Sequence, residues 1–379
     1  MKKRVVIAGL GDTGLLVALH LHPDFEVIGV SPKPCLVSGQ ELGTRLARPS
    51  AWRENYLLGF SRYRKLEGMR IEHARITRIA PERNEVFLVG LDGGERSLSY
   101  DALVIASGVT NGFWRTPELE DRAAVERRID EPAVALAKAR TIAVLGAGAT
   151  GVSVASNLKE AHPDKEVHLF FGPDRVLPGY HPKVRGFLEK RLESQGVVLH
   201  PHHRATIPEG FRGEHITSEP VRFSTGQPPF RADAVVWAVG QQKPNTDFVP
   251  HAMLDAEGYV KADANLRVPG TENVFAVGDV AASDPNRSSA RNSGFLTVAH
   301  NVRCLLEGKP HRMKTFRATP YRWGSILGVQ NDGMRVFAPT GFGVLIGRWA
   351  VTNILYPWIV RRGIYKGIKD EESPREATS

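Results

Sequence analysis

Apolar residues open the chain as a short β-branched run, Val5-Val6-Ile7-Ala8, which stops at Gly9. Residues 15–21 then read as a helix and 26–30 as a second strand, a βαβ opening of the doubly wound kind. Between 70 and 89 apolar positions alternate, which predicts antiparallel strands around a turn at Asp92-Gly93-Gly94. Residues 100–108 follow as a buried strand ending at glycine. The opening pattern then returns, with a strand at 141–145, a glycine turn at 146–151, a helix at 152–159 and a strand at 166–171. Further strands are predicted at 232–239 and 273–277, and a helix at 294–306. From about 317 several short apolar runs include a hairpin around Asn331-Asp332-Gly333, and the chain ends in a polar tail expected to be disordered. The pattern is an α/β chain in which one unit is duplicated and a later segment returns to the first copy.

Composition narrows the class. With 379 residues, 42% hydrophobic and 24% charged, the chain is a soluble globular protein of two or three domains. Two cysteines, Cys35 and Cys304, exclude a disulfide scaffold and fit a reducing compartment, and no Cys/His spacing suits zinc. The start, Met1-Lys2-Lys3-Arg4 before an apolar run, imitates a signal peptide, but Asp12 interrupts it and no small-residue cleavage site follows before Pro23. A cytoplasmic location is expected. The net charge of +9 fits phosphorylated cofactors, an anionic membrane surface or nucleic acid, or simply a mixed solvated surface.

The chemistry lies in two G-x-G-x-x-G turns. They are Gly9-Leu10-Gly11-Asp12-Thr13-Gly14 and Gly146-Ala147-Gly148-Ala149-Thr150-Gly151, each after a buried strand and before a helix. Glycines there allow a tight turn, a backbone close to a pyrophosphate and tight helix packing, while the helix N-terminus supplies N–H donors. Two such turns predict two bound dinucleotides.

At these motifs the sequence resembles the two-dinucleotide flavoproteins, the superfamily of pyridine nucleotide-disulfide reductases, over about residues 1–310. The strand that ends at Ala106-Ser107-Gly108 is similar to the family's crossover strand, and the one ending at Val239-Gly240 to its counterpart in the second domain. Asn273-Val274-Phe275-Ala276-Val277-Gly278-Asp279 resembles the second FAD motif, whose Asp binds the ribityl chain. The resemblance implies two Rossmann-like domains, the second inserted in the first. FAD would be held by 1–114 and 245–316, and NAD(P)H by 115–244, with 317–379 as a short C-terminal region. It also implies that Gly294 opens a helix whose N-terminus points at the flavin and stabilises negative charge there, while Ser288 and Ser289 read either as flavin contacts or simply as helix caps.

Three departures from the family pattern matter. The acid expected to accept adenosine ribose hydroxyls is replaced by Ser31, with Lys33 beyond it, in the first unit. In the second unit it falls at Phe171-Gly172 with Arg175 nearby, which favours a 2′-phosphate, so NADPH or NADH is the donor with a lean to NADPH. The reductases' C-x-x-x-x-C pair is missing and Cys35 stands alone, which excludes dithiol chemistry.

The end of the chain sets Trp349, Tyr356 and Trp358 beside Arg348, Arg361, Arg362 and Lys366. Its apolar stretches are shorter than the roughly 20 residues of a membrane span, so the segment suits the membrane interface, peripheral on the cytoplasmic face, or a homodimer contact. It resembles the tails of type II NADH dehydrogenases and ferroptosis-suppressor/apoptosis-inducing-factor-like oxidoreductases, which implies a quinone acceptor. The expected protein is an FAD-dependent NAD(P)H:quinone oxidoreductase in which the cofactor carries the chemistry and no catalytic side chain is named, with Glu41 as a candidate for proton supply. One alternative is a soluble reductase of a small redox protein such as a rubredoxin or ferredoxin. Another is a nucleotide-switched, apoptosis-inducing-factor-like binding protein. No basic stripe marks a specific nucleic-acid partner.

Overall fold

A computed structural model describes residues 2–239, 242–286 and 294–370. The first sheet has seven strands in the order Val274–Ala276, Ala102–Ile105, Arg4–Ala8, Glu26–Ser31, Arg70–Ala80, Glu85–Gly90, Glu95–Ser99. The first five run parallel, and the last two extend the sheet as the antiparallel meander expected from alternation between 70 and 89. The second sheet is wholly parallel, in the order Val198–His200, Glu166–Phe170, Thr141–Leu145, Ala234–Trp237. In each sheet the strand before the glycine turn is central, which is why Val5–Ala8 and Ile142–Leu145 are fully buried. Val5 and Ile7 face one apolar cluster and Val6 and Ala8 another, so both faces of the first sheet are covered.

The duplication extends to a detail absent from the motif. Asp101 accepts from the Arg4 N–H at 2.7 Å, and Asp233 accepts from the Thr141 N–H at 2.9 Å and the Arg140 N–H at 2.8 Å. Each acid stands one residue before a crossover strand and ties it to the start of the central one. Two connections join the units, and they pair as an antiparallel ribbon, Val109–Thr110 with Lys243–Pro244. Asn245 locks the ribbon: its Nδ2 donates to the Ser107 carbonyl, and its Oδ1 accepts from the Thr110 hydroxyl at 2.6 Å.

The C-terminal region forms a three-stranded antiparallel sheet, Gly324–Gln330, Gly333–Phe337 and Gly343–Gly347, with Asn331 and Asp332 forming the predicted hairpin turn. Ile326, Leu327 and Phe337 pack into the same cluster as Val152 and Leu158 of the helix Ala149–Ala161. Fully buried Asn157 on that helix donates to the Leu327 carbonyl at 2.8 Å and accepts from Gln330 Nε2 at 3.1 Å. A π-helical segment, Val351–Ile364, follows, and the chain then returns to the first unit, where Tyr365 stacks edge-on against Tyr63. No described helix is long and apolar enough to cross a membrane. The predicted disordered tail at 371–379 lies outside the described residues.

Partial burial opposes ionisation of Asp101, but the Arg4 amide and the Lys3 ammonium outweigh it and hold the carboxyl below its ordinary range. A depressed folded-state pKa contributes stability above about pH 4, which is lost as pH falls through that range. Asp101→Asn should therefore lower the melting temperature at neutral pH and flatten the acid limb of its pH dependence. Thermal melts from about pH 7 to 3 check this, and limbs of equal slope in both proteins would contradict it.

Candidate functional site

The first cleft opens at the C-terminal ends of Arg4–Ala8 and its parallel neighbours, where open α/β sheets bind ligands. Gly9 has φ +107°, and a Cβ there would stand 2.6 Å from the Ala106 carbonyl oxygen. A Cβ on Gly14 would stand 1.9 Å from the Gly9 carbonyl oxygen, so helix Asp12–Leu21 can pack this closely only with glycine. At Gly11, by contrast, a Cβ would meet nothing within 4 Å, which leaves bare backbone facing the cleft. The helix has no side-chain cap, and its first N–H groups are free to meet an anion. The cradle fits the pyrophosphate of a dinucleotide.

Of the residues expected there, Gly9, Gly11, Thr13, Ser31, Lys33, Ala106, Ser107, Gly108, Gly278 and Asp279 line this cleft. Asp12 lines it too, but its carboxylate is engaged with the next loop. It accepts from the Ser38 hydroxyl at 2.6 Å and the Gly39 N–H at 2.8 Å. Ser31 is 3% exposed and its oxygen accepts from the Lys33 N–H. The Lys33 ammonium is also engaged, by the Glu118 carbonyl and by Glu120, which holds Arg128 as well. Burial pushes the Lys33 pKa down.

Asp279 is met by a residue the motifs do not reveal. Arg115 Nη1 lies 2.5 Å from Asp279 Oδ2, and its Nη2 donates to the Gly39 carbonyl at 3.3 Å. Burial works against the Arg115 charge, but Asp279 outweighs it and raises the pKa. The pair holds one carboxylate oxygen in place, while Oδ1 makes no hydrogen bond among the described residues. Among the described residues nothing competes with a ligand hydroxyl for that oxygen. Cys35 is 2% exposed, and burial pushes its thiol pKa up, which is the wrong direction for a nucleophile.

The second cleft repeats the first. Gly146 has φ +98°, and added Cβ atoms would stand 2.7 Å from the Ala238 carbonyl oxygen at Gly146 and 1.8 Å from the Gly146 oxygen at Gly151. Gly148 is open, and Ala149 and Thr150 form the first turn of an uncapped helix. Gly146, Gly148, Arg175 and Val239 line the cleft. The Arg175 guanidinium pairs with Glu189 at 3.5 Å, whereas Arg204, unseen in the sequence pattern, lines the same cleft. Gly240 and Ser288 lie outside the described residues, and Gly294 stands buried at the start of helix Phe295–Leu306.

Glu41 sits beside the first cleft's loop rather than in its lining. Its Oε1 accepts from the Tyr56 hydroxyl at 2.8 Å and the Tyr356 hydroxyl at 3.3 Å. Burial raises its pKa despite these donors. Among the described residues no group of His, Cys, Asp and Glu could hold a metal.

Comparison with known proteins agrees with this geometry. A family model described as pyridine nucleotide-disulphide oxidoreductase matches residues 3–301. The chain is 29% identical over 267 residues to oxidoreductase ptaL of Pestalotiopsis fici, covering 68% of this chain and 66% of that one. It is 26% identical to ferroptosis suppressor protein 1 of Taeniopygia guttata, covering 77% of each. In fold it matches a ferredoxin reductase from Rhodopseudomonas palustris with a TM-score of 0.65 at 20% identity, covering 85% of this chain and 79% of that one. With its two glycine-turn clefts on one duplicated scaffold, the chain belongs to the pyridine nucleotide-disulphide oxidoreductase family and is an oxidoreductase that uses FAD and NAD(P)H.

Proposed function

We propose that this protein is an FAD-dependent NAD(P)H:quinone oxidoreductase working at a membrane surface. In this reading the first cleft holds FAD. Gly9, Gly11, Thr13 and Gly14 cradle the pyrophosphate, Ser31 and Lys33 flank the adenosine, and Ala106, Ser107 and Gly108 form the opposite wall. Asp279 binds a ribityl hydroxyl with the oxygen that Arg115 does not hold, and Gly294 brings the start of its helix toward the flavin. Gly146, Gly148, Ala149, Thr150, Gly151, Arg175, Val239 and Gly240 hold NAD(P)H. Held by these residues, FAD would supply the redox chemistry, hydride acceptance from the nicotinamide and two-electron transfer to a quinone.

The observation that carries the acceptor is the end of the chain. Phe342, Trp349 and Trp358 are 69%, 70% and 57% exposed, and Ile359 is 51% exposed, beside Arg348, Arg361 and Arg362. Exposed aromatic and aliphatic groups interleaved with arginines suit the headgroup layer of an anionic bilayer. The same segment reaches back through Tyr356 to Tyr56 and Glu41, next to the loop that lines the first cleft. A membrane-borne acceptor would thus meet the protein beside the loop that lines the first cleft. The charge of +9 favours a second reading, reduction of a small acidic redox protein.

Three outcomes are expected. Gly9→Val should yield protein without the flavin absorbance band, because the Cβ has no room; retention of flavin would contradict the cradle. After anaerobic reduction by NADPH or NADH, a short-chain quinone should restore the flavin band rapidly in stopped flow. Reoxidation by a ferredoxin but not by quinone would transfer the assignment to the second reading. Replacing Trp349 and Trp358 together by Ser should weaken sedimentation with anionic liposomes by about tenfold or more, with turnover of a soluble quinone retained. Unchanged sedimentation would remove the membrane from the account.

A further inference from the structure

We infer that Arg204 reads a 2′-phosphate on the adenosine of the nucleotide in the second cleft, and so makes NADPH the preferred donor. The inference rests on the reading that this cleft takes the pyridine nucleotide. After strand Glu166–Phe170, where an acid would accept ribose hydroxyls, stand buried Phe171 and then Gly172. The nearest acid, Asp174, is not in the cleft lining and pairs with His202 at 3.4 Å. Among the described residues no carboxylate lines the cleft.

Arg204 fills the position from the neighbouring strand. Val198–His200 pairs in parallel with Glu166–Phe170, and four residues past its end the Arg204 side chain crosses Gly172. A Cβ on Gly172 would stand 3.3 Å from Arg204 Nε and 3.4 Å from its Cβ. The bare glycine is the shelf on which the arginine stem lies. The backbone of Arg204 is fixed at both ends, its N–H donating to Thr225 Oγ1 at 3.1 Å and its carbonyl accepting from the Ser224 N–H at 2.9 Å. Its guanidinium makes no hydrogen bond or ion pair among the described residues.

A fixed backbone, a stem laid against Gly172 and an exposed planar cation without a partner among the described residues form an anion site open to an incoming nucleotide. Arg175, the residue the sequence pattern singles out, shares its charge with Glu189 and is the secondary contact. His203, which also lines the cleft, packs against Phe170 and Phe223 at ring separations of 5.7 and 5.0 Å and adds an aromatic wall beside the arginine.

The test is calorimetric binding to the flavin-loaded protein, with adenosine 2′,5′-bisphosphate and 5′-AMP as probes, so that no electron transfer is involved. The native protein should bind the bisphosphate about tenfold or more tightly than 5′-AMP, as a charge-assisted phosphate contact implies. Arg204→Ala should bring that ratio close to one while leaving 5′-AMP affinity and the flavin spectrum unchanged. Arg204→Lys should keep part of the preference, and Arg175→Ala should lower it less than Arg204→Ala does. A ratio that survives Arg204→Ala, or a native protein that binds both probes equally, would overturn the assignment while leaving the cleft a nucleotide site. Failure to bind either probe would overturn the nucleotide reading and this inference with it.

Discussion

At both glycine turns a helix lies against the strand before it with no space for a single methyl group. Added Cβ atoms at Gly14 and Gly151 would stand 1.9 and 1.8 Å from the carbonyl oxygens of Gly9 and Gly146. This contact fixes each helix N-terminus over the end of a fully buried central strand, and both clefts depend on it. Uncapped N–H groups and an open glycine then face the same point in space. Substituting either inner glycine would move the helix and with it the donors that face an anion. The acids Asp101 and Asp233 secure the opposite ends of the same two units.

The units are joined rather than merely adjacent. The paired connections and Asn245 form a short two-stranded hinge, and Trp114 Nε1 reaches the Trp237 carbonyl at 3.4 Å across it. The C-terminal sheet rests on the helix that follows the second glycine turn, through buried Asn157 and Gln330. Its continuation then returns to the first unit through Tyr356 and Tyr365. The exposed aromatic and basic surface is therefore tied to both units.

Much of this was legible in the order of residues. Buried runs followed by glycines announced both units, because a strand covered on both faces must be apolar throughout and the turn after it must lack Cβ atoms. What escaped depends on pairings distant in sequence. Arg115 meets Asp279 164 residues later, and nothing local marks it as that partner. Arg204 reaches Gly172 only because two strands pair in parallel, so the sequence pointed to Arg175, the arginine closer along the chain. Asp12 and Lys33 stand where the motif puts them, but their charged groups are taken up by Gly39 and Ser38 and by Glu118 and Glu120.

In the proposed function the two clefts work as a pair, one keeping a flavin and the other admitting its reductant. An anaerobic titration of the purified protein tests it, with flavin content per chain measured first and NADPH then added in small steps. One flavin per chain, fully bleached by one equivalent of nucleotide, is the predicted result. A protein without flavin, or a bound flavin that neither NADPH nor NADH bleaches, would contradict it.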